Sequence, residues 1–352
     1  MNTKGMRKRS GWHGYCLTDA TAAQPLTPSD IPMKVIVQIP CFNEEHTLPM
    51  TIRDIPRTME GVDSVEILIV DDGSTDKTVE VAKKLGVNHI VRNVCNKGLA
   101  YTYVTALDAC LRLGADIIVN TDGDNQYKGE DIPKLIEPIL KGEAELVVGD
   151  RQTDSIEHFS RSKKGLQRIG SSVVRFLSGT DIQDAVSGFR AISRKAAMRM
   201  NIVTGYSYTV ESIIQAGKKG LAVTSVPIGT NGKTRESRLV KSIPKFISMQ
   251  INTMVRMYTM YQPLRVFFLI GMLFILAGMI PSIRFVYFYI SGNGDGHIQS
   301  LILAAILFIV GFQILVLGLI GDVISFNRRL IEETLLRVRK IEFDYLGAKK
   351  TQ

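Results

Sequence analysis

Short apolar runs separated by longer amphipathic stretches set the pattern over the first two thirds of the chain. VIVQIP at 35–40, VEILIVDD at 65–72, HIVRN at 89–93, DIIVNTDGD at 116–124 and ELVVGDR at 145–151 are strand-length and nearly continuous in Val, Ile and Leu. Runs of that kind belong to strands buried on both faces, and the helical stretches between them (75–85, 99–113 and 131–141) read as crossover helices. The pattern therefore predicts an α/β nucleotide-binding core with a mostly parallel sheet. Ligands collect at the carboxyl ends of such strands, and those ends carry Asn43, Asp71 with Asp72, Asp122 with Asp124, and Arg151.

Two much longer apolar runs follow, at 266–290 and 301–324, each long enough to cross a bilayer as a helix. They predict a transmembrane hairpin. Its connection, 291–297, has no Lys or Arg, whereas Lys241, Lys245, Arg256 and Arg265 precede the hairpin and Arg328, Arg329, Arg337 and Arg339 follow it. This positive-inside bias places both ends in the cytoplasm. Pro281 and Arg284 weaken the first span, although Arg284 lies near its far end and can snorkel. Ahead of the hairpin, Ile243, Ile247, Ile251, Met254, Val255 and Tyr258 recur at helical spacing. They describe either an interfacial helix on anionic headgroups or a helix packed on the domain.

Composition adds limits. The 352 residues carry 43 Lys and Arg against 34 Asp and Glu, a net charge of +9 that suits an anionic partner. Nucleic acid is not the expected one, because the basic segments lack interleaved aromatic residues. The four cysteines form no C-x-x-C pair and read as unpaired thiols of a reducing compartment. The first 33 residues lack an apolar run of signal-peptide length and read as a flexible basic tail.

The sharpest chemical constellation is Asp122-Gly123-Asp124-Asn125-Gln126, directly after an apolar strand. Two carboxylates with a third oxygen ligand suit a hard divalent ion, Mg²⁺ or Mn²⁺, that would grip a diphosphate; a solvated turn is the alternative. Pro40-Cys41-Phe42-Asn43-Glu44-Glu45 and Asp71-Asp72-Gly73-Ser74-Thr75-Asp76 end the first two strands. They could cap helices as well as meet a base or ribose. Asn96-Lys97-Gly98 adds a cation and a turn beside them.

These residues resemble the family 2 glycosyltransferases of the GT-A fold, and among them the polyprenyl-phosphate sugar synthases. The resemblance covers roughly 34–238, and the hairpin is similar to that of membrane-anchored members. It implies that Pro40, Asn43, Glu45, Asp72, Lys97 and Asp122 line the nucleotide site, that Asp122, Asp124 and Gln126 hold the metal, and that Arg151 lies near the phosphates. Asp184, Ser187, Gly188, Phe189 and Arg190, in a D-x-x-S-G-F-R stretch, would shape the acceptor and sugar pocket together with Ser237 and Arg238. Glu211 stands where the family has an acidic residue, and Arg235 opens an R-x-S-R element that would close over phosphates. Lys164 and Arg168 belong to a basic stretch that could hold the acceptor phosphate. Tyr127-Lys128 depart from the family's His-Pro or Asp-Pro, so the donor sugar is not carried over.

The resemblance organises the chain as a GT-A domain at 34–238, an interfacial amphipathic helix at 239–263, a hairpin at 264–325 and a cytoplasmic basic tail at 326–352. The implied activity is inverting transfer of a sugar from a nucleotide-sugar to a membrane polyprenyl phosphate, with Asp124, Arg151, Glu211 and Arg235 in catalytic roles. A lipid phosphate is already ionised and needs no general base. A sugar-hydroxyl acceptor would need one, for which Glu211 or Asp184 are the candidates, unless they are structural acceptors. A processive polysaccharide synthase is disfavoured: its Q-x-x-R-W element is missing, the only tryptophan being Trp12. A non-catalytic scaffold is disfavoured by the intact Asp122, Asp124 and Gln126. Self-association through the hairpin stays open.

Overall fold

The structure, a computed structural model, describes residues 32–152, 161–205, 208–232, 243–292 and 297–350, with backbone only at 161–169, 243–246 and 347–350. The chain divides at Pro32, and Met33–Gln352 holds every described element. The expected N-terminal tail lies outside the described residues, apart from Pro32 and Met33.

Seven strands, β1 (Lys34–Cys41), β2 (Ser64–Asp71), β3 (His89–Arg92), β4 (Ile117–Asn120), β5 (Leu146–Asp150), β6 (Arg190–Ser193) and β7 (Val223–Pro227), form one sheet in the order β3-β2-β1-β4-β6-β5-β7. All pairings are parallel except those of β6, which runs antiparallel to β4 and β5. The apolar runs are buried as their composition requires: Val35, Ile36, Val37 and Ile39 in β1 and Ile67–Val70 in β2 are fully enclosed. One face is covered by α1 (Leu48–Asp54), α2 (Thr78–Lys84) and α4 (Ile132–Leu140). The other is covered by α3 (Leu99–Arg112), α6 (Arg194–Arg199) and α7 (Tyr208–Lys218). Sequence pattern did not single out β6, because only four residues pair and they follow a stretch rich in small and polar residues.

Pairing register puts the strand ends together. Cys41 lies opposite Asp71, and Gln38 opposite Asn120, so the loops after β1, β2 and β4 emerge on one edge.

Beyond the sheet, α5 (Arg161–Ser178) and α8 (Ile243–Tyr261) pack with α7 in a separate apolar cluster. Helix α8 buries Met257 and Tyr261 there and leaves Ile251 and Val255 more than half exposed, so it docks on the domain along one side and presents apolar groups on another. Helices α9 (Pro263–Ile290) and α10 (Ile298–Lys350) are the two helices long and apolar enough to cross a membrane among the described residues. Only 11% and 17% of their most apolar windows are buried, which separates them from the core helices of a soluble domain. At 28 residues α9 spans about 42 Å, more than the ~30 Å hydrocarbon layer. Close helix approach is enabled by glycine: a Cβ on Gly271 would lie 2.9 Å from the Gly311 carbonyl oxygen, and one on Gly311 2.8 Å from Ile275 Cγ1.

The basic stretch from residue 326 differs from its expected form. It is no separate tail but the continuation of α10, which runs 53 residues without a break and returns to the α/β domain. Arg339 donates to the carbonyls of Met198 (2.7 Å) and Met200 (3.2 Å), Glu342 pairs with Arg112 at 2.7 Å, and Phe343 is buried beneath the Arg194 guanidinium. Helix continuity wins because these contacts anchor one side of α10 through Arg339, Glu342 and Phe343, and a dangling basic segment would forgo them.

Candidate active site

The loops after β1 and β2 are stitched together by backbone-to-side-chain hydrogen bonds. Asn43, held at a positive φ of 57° that asparagine tolerates, donates its N–H to Ser74 Oγ (2.9 Å) and accepts the Thr75 N–H on Oδ1 (2.9 Å). Glu45 accepts from Lys77 N at 3.0 Å, and Pro40 is buried at the strand end. Asp72, also buried, accepts from Asn93 Nδ2, Lys97 N and Gly98 N, each at 2.9 Å. That uses about three of its four lone-pair positions to fold the 95–98 loop. Gly73 permits the crossing: its φ is +74°, and a Cβ there would lie 2.7 Å from the Cys95 carbonyl carbon. Lys97 enters through its backbone, while its exposed ammonium turns to the Tyr101 hydroxyl at 3.0 Å.

The acidic loop follows β4. Asn120, at the end of that strand, accepts from Gln38 at 3.0 Å and donates to both the Gly188 carbonyl and the Tyr208 hydroxyl at 2.8 Å. Gly188 in turn donates its N–H to the Tyr127 hydroxyl at 2.9 Å. A Cβ on Gly188 would come within 3.1 Å of Asp122 Oδ2 and 3.2 Å of Tyr208 Oη, so the 184–190 loop lies close against the carboxylate and a side chain there would press on both. Asp124 accepts from Gln126 N at 3.2 Å. Asn231 then clamps the loop, donating its N–H to the Gln126 carbonyl (2.9 Å) and its amide to the Asn125 carbonyl (3.1 Å). Tyr127, the departure from the family pattern, is thus a buried strut, stacked on Phe189 at 5.1 Å. Burial pushes its hydroxyl up to about 12, and burial followed by the nearby Asp122 charge raises Tyr208. Both phenols therefore stay neutral at physiological pH.

Negative charge concentrates here. The buried Cys41 thiol is raised first by desolvation and then by Glu44, Asp71 and Asp122, so it is no thiolate nucleophile. Two polar atoms beside the acidic loop, Asn125 Oδ1 and Ser187 Oγ, are buried without a partner among the described residues. Arg151, at the end of β5, meets Asp184 in a fork of 2.6 and 2.9 Å, with 11% and 1% side-chain exposure. Burial alone would lower the guanidinium's pKa; attraction to Asp184 outweighs it and holds the group above its ordinary value.

Three expected site residues face the core. Phe189 is fully enclosed with the residues of the sheet's first face. Arg190 is 1% exposed, and donates to the carbonyls of Ser187 (2.8 Å), Thr209 (2.7 Å) and Ala185 (2.9 Å) and to the Ser212 hydroxyl. A buried guanidinium needs that many acceptors, so it pins the loop from beneath instead of reaching a sugar. Glu211 is fully buried on α7 and accepts from the N–H groups of Val203 (2.9 Å) and Thr204 (3.0 Å), the Thr204 hydroxyl and Gln215 Nε2. It tethers the 203–204 loop. Glu211→Gln places a donor against those N–H groups, and the expected cost is about 1–3 kcal/mol of stability. Thermal unfolding should register that loss while kcat stays within about threefold, since a catalytic base would be worth about 10²-fold or more. Arg235, Ser237 and Arg238 lie outside the described residues, as do the side chains of Lys164 and Arg168 on α5.

Pattern reading missed Gln38, Asn120, Tyr208 and Asn231. A polar residue inside an apolar run could have signalled Gln38 and one closing such a run Asn120, and nothing local marks the others.

The family model for glycosyl transferase family 2 matches residues 36–200, and the GtrB C-terminal hairpin model matches 262–326. The UDP-N-acetylglucosamine–dolichyl-phosphate N-acetylglucosaminyltransferase of Methanococcus voltae is 31% identical over 214 residues, covering 54% of this chain and 83% of its own. The chain belongs to glycosyl transferase family 2. The similarity extends through the hairpin in the undecaprenyl-phosphate 4-deoxy-4-formamido-L-arabinose transferase of Photorhabdus laumondii, 26% identical over 90% of this chain and 96% of that one. Among solved structures, glucosyl-3-phosphoglycerate synthase from Mycobacterium tuberculosis, in complex with Mn²⁺, UDP-glucose and phosphoglyceric acid, superposes with a TM-score of 0.52. It covers 64% of this chain and 80% of its own at 22% identity, which establishes the GT-A-like fold.

In this glycosyltransferase the acidic loop fits a hard divalent cation. The donors are oxygens, and two unpartnered polar atoms lie alongside. Among the described residues no cluster of three or more His, Cys, Asp or Glu is arranged as a metal site. Asp122 and Asp124 with Gln126 would thus leave much of the coordination shell to phosphate oxygens and water, as suits an ion that enters with its nucleotide.

Proposed function

We propose that this family 2 glycosyltransferase transfers a sugar from a nucleotide-sugar to the phosphate of a polyprenyl lipid at the cytoplasmic face of a membrane, inverting the anomeric centre. The observation that carries this reading is the union, in one unit, of an acidic strand-edge site with an exposed apolar hairpin. The relatives from M. voltae and P. laumondii are both named for polyprenyl-type phosphate acceptors but for different sugars. The shared part of the chemistry is the acceptor, and the sugar is the variable part.

The choice of acceptor also follows from proton bookkeeping. A hydroxyl acceptor needs a base, yet Glu211 is occupied by four donors and Asp184 by the Arg151 fork. A phosphate oxygen is ionised at neutral pH and attacks C1 directly; the C1–O bond to the diphosphate breaks, and its electron pair leaves on the diphosphate. The bound cation, held by Asp122, Asp124 and Gln126, would neutralise charge on that leaving group. Asn43, Glu45 and the last acceptor position of Asp72 would meet the base and ribose. Arg151, held rigid by Asp184, would face the phosphates. Ser187, whose hydroxyl has no other described partner, would meet the sugar, with Gly188 setting its approach to Asp122. Arg256 and Arg265 before the hairpin and Arg328 and Arg329 after it favour a cytoplasmic site.

The test is transfer of labelled sugar from UDP-sugars and GDP-mannose to polyprenyl phosphate in detergent, with Mg²⁺ or Mn²⁺. Metal-dependent labelled lipid is expected from one donor. Donor hydrolysis without lipid product for any donor would overturn the acceptor assignment.

A further inference from the structure

Where the hairpin joins the catalytic domain, the structure forms a half-open cavity of about 370 Å³. Its walls are the C-terminal ends of α6 and α7, the link between α8 and α9, and the first turns of α10 beyond its apolar stretch. Five basic side chains, Arg199, Lys218, Lys219, Arg328 and Arg329, meet two carboxylates, Glu332 and Glu333. The carboxylates are already engaged: Glu332 accepts from Arg328 at 2.6 Å and lies 3.2 Å from Lys219, and Glu333 is 3.4 Å from Arg337 on the outer surface. The cavity therefore keeps an excess of positive charge.

Arg328 decides what belongs there. Its guanidinium stacks on the Tyr261 ring at 4.0 Å and spends Nη1 on Glu332, while Nε and Nη2 are buried with no acceptor among the described residues. The buried Tyr261 hydroxyl beside them lies close enough to interact with the guanidinium but completes no well-formed hydrogen bond to either nitrogen. Leaving the buried donors of a charged group without acceptors is unfavourable, so the arrangement calls for an anion with several acceptor oxygens. Burial, and then the like charge of Arg265, holds Lys218 below its ordinary value.

The place identifies the anion's source. Gln262 leads directly into α9, and Arg328 follows the exposed apolar Ile324 by one helical turn, so the cavity opens at the level where the hairpin would leave the hydrocarbon. It is also remote from the reaction. Helix α7 carries Tyr208 to Gly188 at one end and Lys218 to the cavity at the other, and its 11 residues separate them by about 16 Å. We propose that this cavity binds the phosphate of an anionic phospholipid headgroup, separate from the acceptor, and that the lipid braces the hairpin base against the catalytic domain.

The proposal rests on the hairpin lying in a membrane, and its test is kept apart from that reading. Full-length protein in neutral detergent is titrated with phosphatidylglycerol, phosphatidylcholine or inorganic phosphate, with bound lipid read by native mass spectrometry and unfolding temperature in parallel. Wild type should retain phosphatidylglycerol and gain thermal stability from it, and do neither with phosphatidylcholine. Arg328→Gln should weaken phosphatidylglycerol about tenfold, the effect of losing a charge-assisted hydrogen bond. Arg328→Lys, which can keep the Glu332 pair but loses the two free donors, should weaken it similarly and decides the matter if the glutamine variant fails to fold. Equal retention by wild type and Arg328→Lys overturns the site. Equal stabilisation by inorganic phosphate overturns the lipid as its source. Failure of wild type to float with vesicles would instead sink the membrane reading on which both depend.

Discussion

Asp122→Asn should lower sugar transfer by about 10²–10³-fold, roughly 3–4 kcal/mol of lost transition-state stabilisation, without unfolding the protein. The substitution keeps the size of the side chain, so Gly188, whose added Cβ would come within 3.1 Å of Asp122 Oδ2, keeps its place. What changes is charge at the point where a diphosphate-bound cation would sit. Calorimetric titration of the nucleotide-sugar should then lose most of its Mg²⁺ or Mn²⁺ dependence in the variant. Asp124→Ala should behave similarly, and in addition release the Gln126 N–H that Asp124 accepts at 3.2 Å. Full activity in either variant, or transfer in wild type that is indifferent to chelators, would remove the acidic loop from the mechanism.

A second large effect concerns stability. Asp184→Ala leaves Arg151 charged and 11% exposed without its fork partner, and the expected cost is about 3–5 kcal/mol in denaturant unfolding. A buried ion pair can often be exchanged for apolar side chains of similar volume with little loss, because both desolvation penalties vanish together. The double replacement Arg151→Met with Asp184→Leu should therefore recover most of the unfolding free energy, giving a strong coupling in the double-mutant cycle. Transfer should not recover, since the guanidinium beside the acidic loop is gone. Recovery of both would make the pair purely architectural.

Much of this protein is legible in its sequence because two of its signals are local. Val-, Ile- and Leu-rich runs ending near Asp and Asn mark β1, β2, β4 and β5, since a strand buried on both faces is mostly apolar along its length and releases polar side chains at its ends, buried Gln38 of β1 being held by Asn120. The two apolar runs that become α9 and the first half of α10 are equally plain, because a bilayer asks only for length and hydropathy. The acidic loop after β4 falls between these signals, and its position at a strand end is what made Asp122 and Asp124 worth naming.

The direction in which a charged side chain points was another matter. Arg190 and Glu211 read in one dimension as charged groups for a ligand, yet the fold turns each inward onto backbone carbonyls or N–H groups that no sequence spacing reveals. Gln38, Asn120, Tyr208 and Gly188 are up to 170 residues apart and meet only because β1, β4 and the 184–190 loop share one edge of the sheet. The return of α10 onto α3 and α6 is decided by the same kind of distant contact: Arg339, Glu342 and Phe343 look like a soluble basic end until Met198, Arg112 and Arg194 are brought alongside. Hydrophobic period and strand-end polarity are properties of neighbours along the chain and can be read there. The partner of a buried charge is set by which distant backbone groups the finished fold leaves in need of one, and only tertiary structure supplies it.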